Sequence, residues 1–225
     1  LMAVVGAVSN AHAVACETAS FSVYEAFGAG GCTIGDKTFS NFDFSFTNFV
    51  GSITVTPYLD NPNTPSLVGD IGFPLTIAGL TQVGTGAKDI GLVYDVTAPA
   101  ATITDAHLGF GAGTNLDGLA IVTETVCPSG DPNCQTESLL VFQGQPGFQN
   151  MDFLFFDPVS SLHILKDISV GVGGDARAGS FATITLVDQS FTQTATPEPA
   201  TLLLLGSGLA GVGMFSRRRM RKQSR

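Results

Sequence analysis

The stretch DIGLVYDVT, residues 89–97, decides the fold of this 225-residue chain. Its apolar side chains recur at every second position: Ile90, Leu92, Tyr94 and Val96. Alternate side chains of a strand point to opposite faces of a sheet, so this spacing predicts a strand with one face in a core and the other in solvent.

The same alternation recurs on both sides of this stretch. FDFSFTNF (42–49) places Phe42, Phe44 and Phe46 on one face, and SFATITLVD (180–188) places Ala182, Ile184 and Leu186 together. SSLHILKDISV (160–170) begins with Leu162 and Ile164 inward and then shifts phase. LLVFQG and MDFLFFD are shorter and more apolar, as central strands would be.

Turn-forming residues separate these runs, and we interpret the Gly-rich GFGAGTNLDG (109–118) as one such turn. No convincing helical pattern precedes Ala200. Strands that follow one another without helices predict an all-β protein, an antiparallel β-sandwich of jelly-roll or Ig-like type over residues 16–193, followed by one C-terminal transmembrane helix.

The first fifteen residues have the features of the second half of a secretory signal peptide. An apolar run is followed by small residues at alternate positions, Ala11, Ala13 and Ala15, but a basic start is missing. We predict a signal peptide over 1–15, truncated at its start. A buried first strand is one alternative. A weak lipoprotein box, with Cys16 lipidated, is another.

Four cysteines form two local pairs along the sequence. An even number in an exported chain favours the disulfides Cys16–Cys32 and Cys127–Cys134, although four cysteines allow three pairings. A zinc site is disfavoured, because there is no CxxC motif and few histidines.

Charge is distributed unevenly. Between Cys16 and Thr196 there are only four basic residues against eighteen acidic ones. Phosphate binding needs basic side chains that release counterions, so we exclude nucleic acid as a partner of this region.

No sequence motif of a known chemistry is present, and we predict no catalytic, cofactor-binding or metal-binding residue and no enzyme activity. His107, with Asp105 nearby, is interpreted as a partly exposed strand residue, and His163 as solvent-facing. The loops LDNPN, NLDG and DPNC carry oxygen ligands suited to Ca²⁺, but turns also favour Asp and Asn for backbone reasons.

The C-terminus has three parts in order. Residues 194–199 form a linker with Pro197, Glu198 and Pro199. Residues 200–216 are uncharged and apolar, and we predict a transmembrane helix there. Residues 217–225 form a basic cytoplasmic tail, in which Arg217, Arg218, Arg219, Arg221 and Lys222 act as the membrane stop signal.

This tail resembles the PEP-CTERM sorting signal of bacterial exported proteins. The resemblance implies Pro197, Glu198 and Pro199 as the recognition element, an exosortase as processing partner, and an inner-membrane intermediate before delivery to the cell surface or extracellular matrix. It also implies a setting in which exopolysaccharide is often made.

The leading hypothesis is therefore an exported structural or adhesive protein, processed by an exosortase. The alternative is an extracellular module that binds glycan or calcium, with polysaccharide as a candidate partner. A secreted hydrolase, which would need two suitably spaced carboxylates, ranks third.

Overall fold

The computed structural model describes residues 14–59, 70–98, 103–128, 138–145 and 147–192. By its internal contacts the chain divides into two units, residues 1–193 and 194–225, and all described residues belong to the first. The predicted transmembrane helix and basic tail lie outside the described residues. Within the described residues, no helix is long and apolar enough to cross a membrane.

The described elements are two short helices and sixteen strands. In chain order they are β1 (Val14–Ala15), β2 (Ala19–Ser20), α1 (Phe21–Ala26), a 3₁₀ turn (Gly28–Gly30), β3 (Cys32–Ile34), β4 (Lys37–Thr47), β5 (Ser52–Val55), β6 (Tyr58–Leu59), β7 (Ile71–Ala78), β8 (Thr81–Val83), β9 (Gly86–Thr97), β10 (Ile103–Asn115), β11 (Gly118–Pro128), β12 (Ser138–Gly144), β13 (Gly147–Gln149), β14 (Met151–Val159), β15 (Ser161–Val172) and β16 (Phe181–Phe191).

The strands form two sheets that pack face to face, so the prediction of an antiparallel β-sandwich is confirmed. Sheet A has the order β1-β3-β4-β9-β15-β11-β12-β13, and sheet B has the order β14-β10-β16-β7-β5-β2. Two short strands complete sheet B, β6 beside β7 and β8 beside β16. All pairs are antiparallel except β1 with β3.

The core between the sheets contains the alternating residues of the central strands. Ile90, Leu92, Tyr94 and Val96 are all fully buried, as their spacing predicts. The ring of Tyr94 lies 5.3 Å from both Phe42 and Phe73, measured between centroids. Offset and edge-to-face contacts of this kind add to the burial of apolar area, so phenylalanine and tyrosine supply the bulk that tryptophan would otherwise provide.

One short helix, α1, precedes Ala200, in a segment where the sequence offered no strong helical candidate. α1 places Tyr24 in the core, where its hydroxyl donates to the Glu17 carbonyl at 2.8 Å. The Tyr24 ring packs edge-on against Phe42, with centroids 5.1 Å apart. The spacing of Phe21, Tyr24 and Phe27 was the signal for one apolar helical face, but three aromatic residues in a segment this short also fit a strand.

In two strands, β16 and β15, the set of side chains that faces the core differs from the predicted set. Ala182 and Ile184 face the core, but the register shifts at the next position, so Val187 rather than Leu186 is buried. β15 shows the opposite error. It keeps its phase throughout, and the fully buried position that was read as a shift holds Lys166.

The segment GFGAGTNLDG is mostly strand, not turn. Residues 109–115 belong to β10, and only Leu116 and Asp117 form the turn to β11. β10 pairs with β16 along this entire stretch. Backbone hydrogen bonds to a neighbouring strand therefore override the weak strand preference of glycine.

The disulfide between Cys16 and Cys32 is present, with the Cα atoms 4.9 Å apart. Because Cys16 is bonded to Cys32, its sulfur is not available for lipid in this state. Cys127 is buried and also disulfide-bonded. Cys134 lies outside the described residues.

Candidate ligand-binding face

The side of sheet B that faces away from the core carries an unusual row of residues. Cross-strand pairing aligns Phe153 of β14, His107 of β10, Ser190 of β16 and Gly72 of β7, and Gly72 pairs in turn with Tyr58 of β6. Residues aligned across strands share one face. Five strands therefore contribute to a single line across this surface.

His107 is buried rather than partly exposed, which corrects the sequence-based expectation. Its ring lies edge-on against Phe153, with centroids 4.8 Å apart. Its Nε2 is 3.4 Å from Asp105 Oδ1, and its Nδ1 is 3.5 Å from Ser190 Oγ. Tertiary contacts with β14 and β16 bury a residue type that is usually at least partly exposed.

Asp105 is held by several donors. Burial alone would raise the pKa of this carboxyl, but hydrogen bonds from His107 and from Thr192 outweigh it and lower the pKa below its usual range. The Thr192 amide donates to Oδ1 at 2.8 Å, and the Thr192 hydroxyl donates to Oδ2. A carboxylate with this many donors is stabilised in its charged form.

The cluster has the residue types of a catalytic triad, namely Asp105, His107 and Ser190. The burial of these side chains argues against a catalytic role. Ser190 is only 2% exposed. The distance of 3.5 Å between its hydroxyl and His107 is long for a hydrogen bond. The contact between His107 and Ser190 instead holds β10 beside β16.

A groove runs along β10 from this cluster. One depression of about 270 Å³ includes His107, Gly109, Gly111, Met151, Asp188 and Ser190. A second, of about 590 Å³, shares Phe110, Gly111 and Asn150 with the first and continues past Asn115, Gln143, Gln145 and Phe148. We call these two depressions together the glycine groove.

Gly109 forms part of the groove because it lacks a side chain. A Cβ atom built at Gly109 would meet no atom closer than 3.7 Å, so a methyl group would fit there in ordinary van der Waals contact with its neighbours. Alternate glycines thus give β10 a flat surface, while Met151 (43% exposed) and Phe148 (75% exposed) stand at the rim.

The polar groups around the groove are mainly amides and one carboxylate. Asp188 accepts a hydrogen bond from the Tyr58 hydroxyl at 3.0 Å. Burial and the nearby Asp188 charge raise the pKa of Tyr58 above its ordinary value, so Tyr58 remains a donor. Asn150, Gln143 and Gln145 can each both donate and accept. None of the described residues that line the groove is a lysine or an arginine.

The remaining sequence-based candidates lie elsewhere. His163 lies on the outer face of sheet A, where its Nδ1 is 2.6 Å from Asp95, and its side chain is 23% exposed. Asp117 of the NLDG loop binds the Arg177 side chain and the Ser180 hydroxyl. Arg177 therefore occupies the carboxylate that was considered for calcium. The described residues contain no cluster of three metal-ligating side chains.

The predicted sorting residues Pro197, Glu198 and Pro199 lie outside the described residues, as do Arg217, Arg218, Arg219, Arg221 and Lys222. Their assignment comes from sequence comparison. Residues 195–219 match the PEP-CTERM protein-sorting motif. The chain therefore carries the sorting signal of an exported exosortase substrate, which is anchored in the membrane during sorting.

No curated protein matches the chain in sequence. Among solved structures, TmCBM61 in complex with β-1,4-galactotriose is 15% identical, with 66% of this chain and 86% of that chain covered and a TM-score of 0.31. The xylan-binding module CBM86 from Roseburia intestinalis is 9% identical, with 69% and 97% covered and a TM-score of 0.25.

The Gap123 complex from Streptococcus agalactiae is 12% identical, with 76% of this chain but only 28% of that chain covered and a TM-score of 0.31. With TM-scores this low, none of these similarities indicates a function.

Proposed function

We propose that this protein is a non-enzymatic, adhesive component of the cell surface or extracellular matrix that binds neutral polysaccharide in the glycine groove. The sorting motif supports export and exosortase processing. In this proposal the apolar segment 200–216 is the temporary membrane anchor, and residues 1–15 are the remainder of the signal peptide.

The observation that carries the ligand proposal is the chemistry of the groove. A sugar ring presents apolar C–H faces and hydroxyls that both donate and accept. Met151 and Phe148 offer exposed apolar surface, while Asn150, Gln143 and Gln145 offer amides with both hydrogen-bonding functions. Pockets that combine apolar walls with a few polar groups are the usual sites for small ligands and sugar units.

Charge favours a neutral rather than an acidic polysaccharide. Asp188 lines the groove, and no described lining residue is a lysine or an arginine. The region between Cys16 and Thr196 has an excess of acidic residues. A polyanion would meet repulsion from the protein as a whole, which slows association and weakens binding.

A non-enzymatic role is supported by the burial of the candidate acid–base residues. Asp105 and His107 are almost entirely buried, and the adjacent Ser190 hydroxyl is also covered. A nucleophile needs access to its substrate as well as a base within hydrogen-bond reach. This cluster is therefore better suited to positioning strands than to attacking a bond.

The direct test is affinity gel electrophoresis of the full chain in native gels that contain dextran, a β-glucan, a galactan or the polyanion alginate. We expect retardation by at least one neutral polymer and none by alginate. Phe148→Ala should reduce the retardation, with a dissociation constant about tenfold higher, equivalent to ~1.4 kcal/mol. Met151→Ala should act in the same direction.

Val50→Ala is the matched control, because Val50 is 87% exposed and does not line the groove. It should leave binding unchanged. Equal migration of the wild-type protein in all gels, or equal weakening by Phe148→Ala and Val50→Ala, would contradict the proposal.

A further inference from the structure

Three polar side chains meet in the middle of the otherwise apolar core. Glu124 of β11 and Lys166 of β15 are direct cross-strand neighbours in sheet A. Gln189 of β16 reaches them from sheet B. The side chains of Glu124 and Lys166 have no solvent exposure, and Gln189 is fully buried.

These three groups touch one another. Lys166 Nζ donates to the Glu124 carboxylate and lies 2.5 Å from Gln189 Oε1. The Gln189 amide also interacts with the Glu124 carboxyl. Because a C=O bond is about 1.23 Å long, the Gln189 Cδ atom lies within about 3.7 Å of Nζ. That approaches the separation of reacting atoms in a near-attack arrangement, about 3–3.5 Å.

The surroundings favour uncharged forms of the reacting groups. Burial lowers the pKa of Lys166, although the nearby Glu124 opposes this, and burial raises the pKa of Glu124. Glu124 Oε1 and the Tyr94 hydroxyl have no hydrogen-bond partner in this core. Both shifts favour transfer of the shared proton from Lys166 to the Glu124 carboxylate, and that transfer gives a nucleophilic amine beside a carboxylic acid.

We propose that Lys166 and Gln189 join in an autocatalytic isopeptide bond, with Glu124 as the catalytic acid and base. The Lys166 Nζ lone pair attacks Gln189 Cδ while Glu124 protonates the carboxamide. Glu124 takes a proton back from Nζ, the bond between Cδ and Nε2 breaks, and Nε2 leaves as ammonia. The reaction exchanges one amide for another, so it needs neither an oxidant nor a cofactor.

The bond has a clear structural consequence. It links β15 of sheet A to β16 of sheet B through side chains 23 positions apart in the sequence. A covalent tie across the core keeps the two sheets together when force or heat opens the sandwich. This inference does not depend on polysaccharide binding.

Peptide mapping of the full chain tests the proposal. Denatured and reduced protein is digested with trypsin, which does not cleave after an acylated lysine. The expected product is peptide 89–177 joined to peptide 178–217, or to its processed form, with a mass lower by one ammonia than the sum of the two. Fragmentation should locate the link at Lys166 and Gln189. Fragmentation locates the link whether or not the C-terminus has been processed.

Glu124→Gln keeps the size of the side chain but removes the acid, so the linked product should disappear while Lys166 and Gln189 remain. Glu25→Gln is the matched control, since Glu25 accepts from the Phe44 amide and does not touch Lys166. It should keep the link. Release of unmodified peptide 167–177 from the wild-type protein as the main product would overturn the proposal. A loss of water instead of ammonia would also overturn it, because it would place the bond between Lys166 and Glu124.

Discussion

At the residue scale, Lys166 is a buried lysine whose partners lie on other strands. Lys166 follows Leu162 and Ile164 at the same alternate spacing, yet a lysine there looks like the point at which the inward face ends. Lysine is rarely buried without a partner. Its partners, Glu124 and Gln189, come from distant parts of the chain, so the pattern of β15 alone could not identify them.

Asp89 gives a prediction about pH. Burial, a hydrogen bond with Asp167 and repulsion from Asp167 raise the pKa of Asp89 from 3.8 to about 6. Between these values the folded protein holds a proton that the unfolded chain has released. The free energy of unfolding from this group therefore falls as pH rises from about 4 to about 6.

Asp89→Asn should remove this dependence and stabilise the protein at neutral pH by about 1 kcal/mol or less, because solvent screens a pair of which Asp89 is half-buried and Asp167 exposed. Urea unfolding at several pH values measures the difference between variant and wild type. That difference should grow through the same interval and then stay constant. Asp175→Asn, on an exposed turn, is the control, and the same pH-dependent difference in that variant would argue against Asp89 as the cause.

At the element scale, β10 shows how a glycine-rich segment becomes a strand. Residues 109–115 pair with β16 on one side, and β14 pairs with the first half of β10 on the other. The register shift between these two strands leaves Thr185 of β16 unpaired and changes which residues of β16 face the core. The strand pairing places these glycines beside the rim residues of the groove, which no local pattern predicts.

Two glycines in sheet B should differ sharply in their tolerance of alanine. A Cβ atom at Gly72 would lie 1.9 Å from the Gln189 carbonyl oxygen, so β7 would have to move away from β16. We expect Gly72→Ala to reduce the free energy of unfolding by about 2 kcal/mol or more.

Gly109→Ala serves as the comparison, since its nearest contact would be 3.7 Å away. It should change stability little, while placing a methyl group on the floor of the groove. Chemical denaturation of both variants gives the test. Equal stability of the two would show that β7 and β16 are not packed as closely as described.

At the scale of the whole molecule, the β-sandwich and the sorting signal are separate segments of the chain. The role of each can therefore be tested separately. The sequence match covers residues 195–219, beyond the described sandwich. Prolines hold a segment extended and exclude it from regular hydrogen-bonded structure. Such a segment is suited to recognition by a membrane-embedded protease.

Replacing Pro197 and Glu198 together by alanine should leave most of the protein uncleaved in the membrane fraction of the native host. Cell fractionation with mass analysis of the C-terminal peptide measures this. Thr194→Ala, outside the matched motif, should be processed normally. Normal release of the double variant would contradict the role of these residues.

The sequence by itself determined the fold class and the sorting motif and favoured the Cys16–Cys32 pair, because each depends on local order along the chain. Alternation within one strand, two neighbouring cysteines and three consecutive segments of the tail can all be read without knowing what packs where. The buried apolar row of β9 is the clearest case.

Only the tertiary structure decided the burial of His107, the glycine groove and the meeting of Lys166, Glu124 and Gln189. Each depends on strand order and register, which place residues far apart in sequence on one face or in one core. The residue pattern of one strand shows which of its side chains lie on the same face. It does not give which other strand they meet, and that contact determines both burial and chemistry.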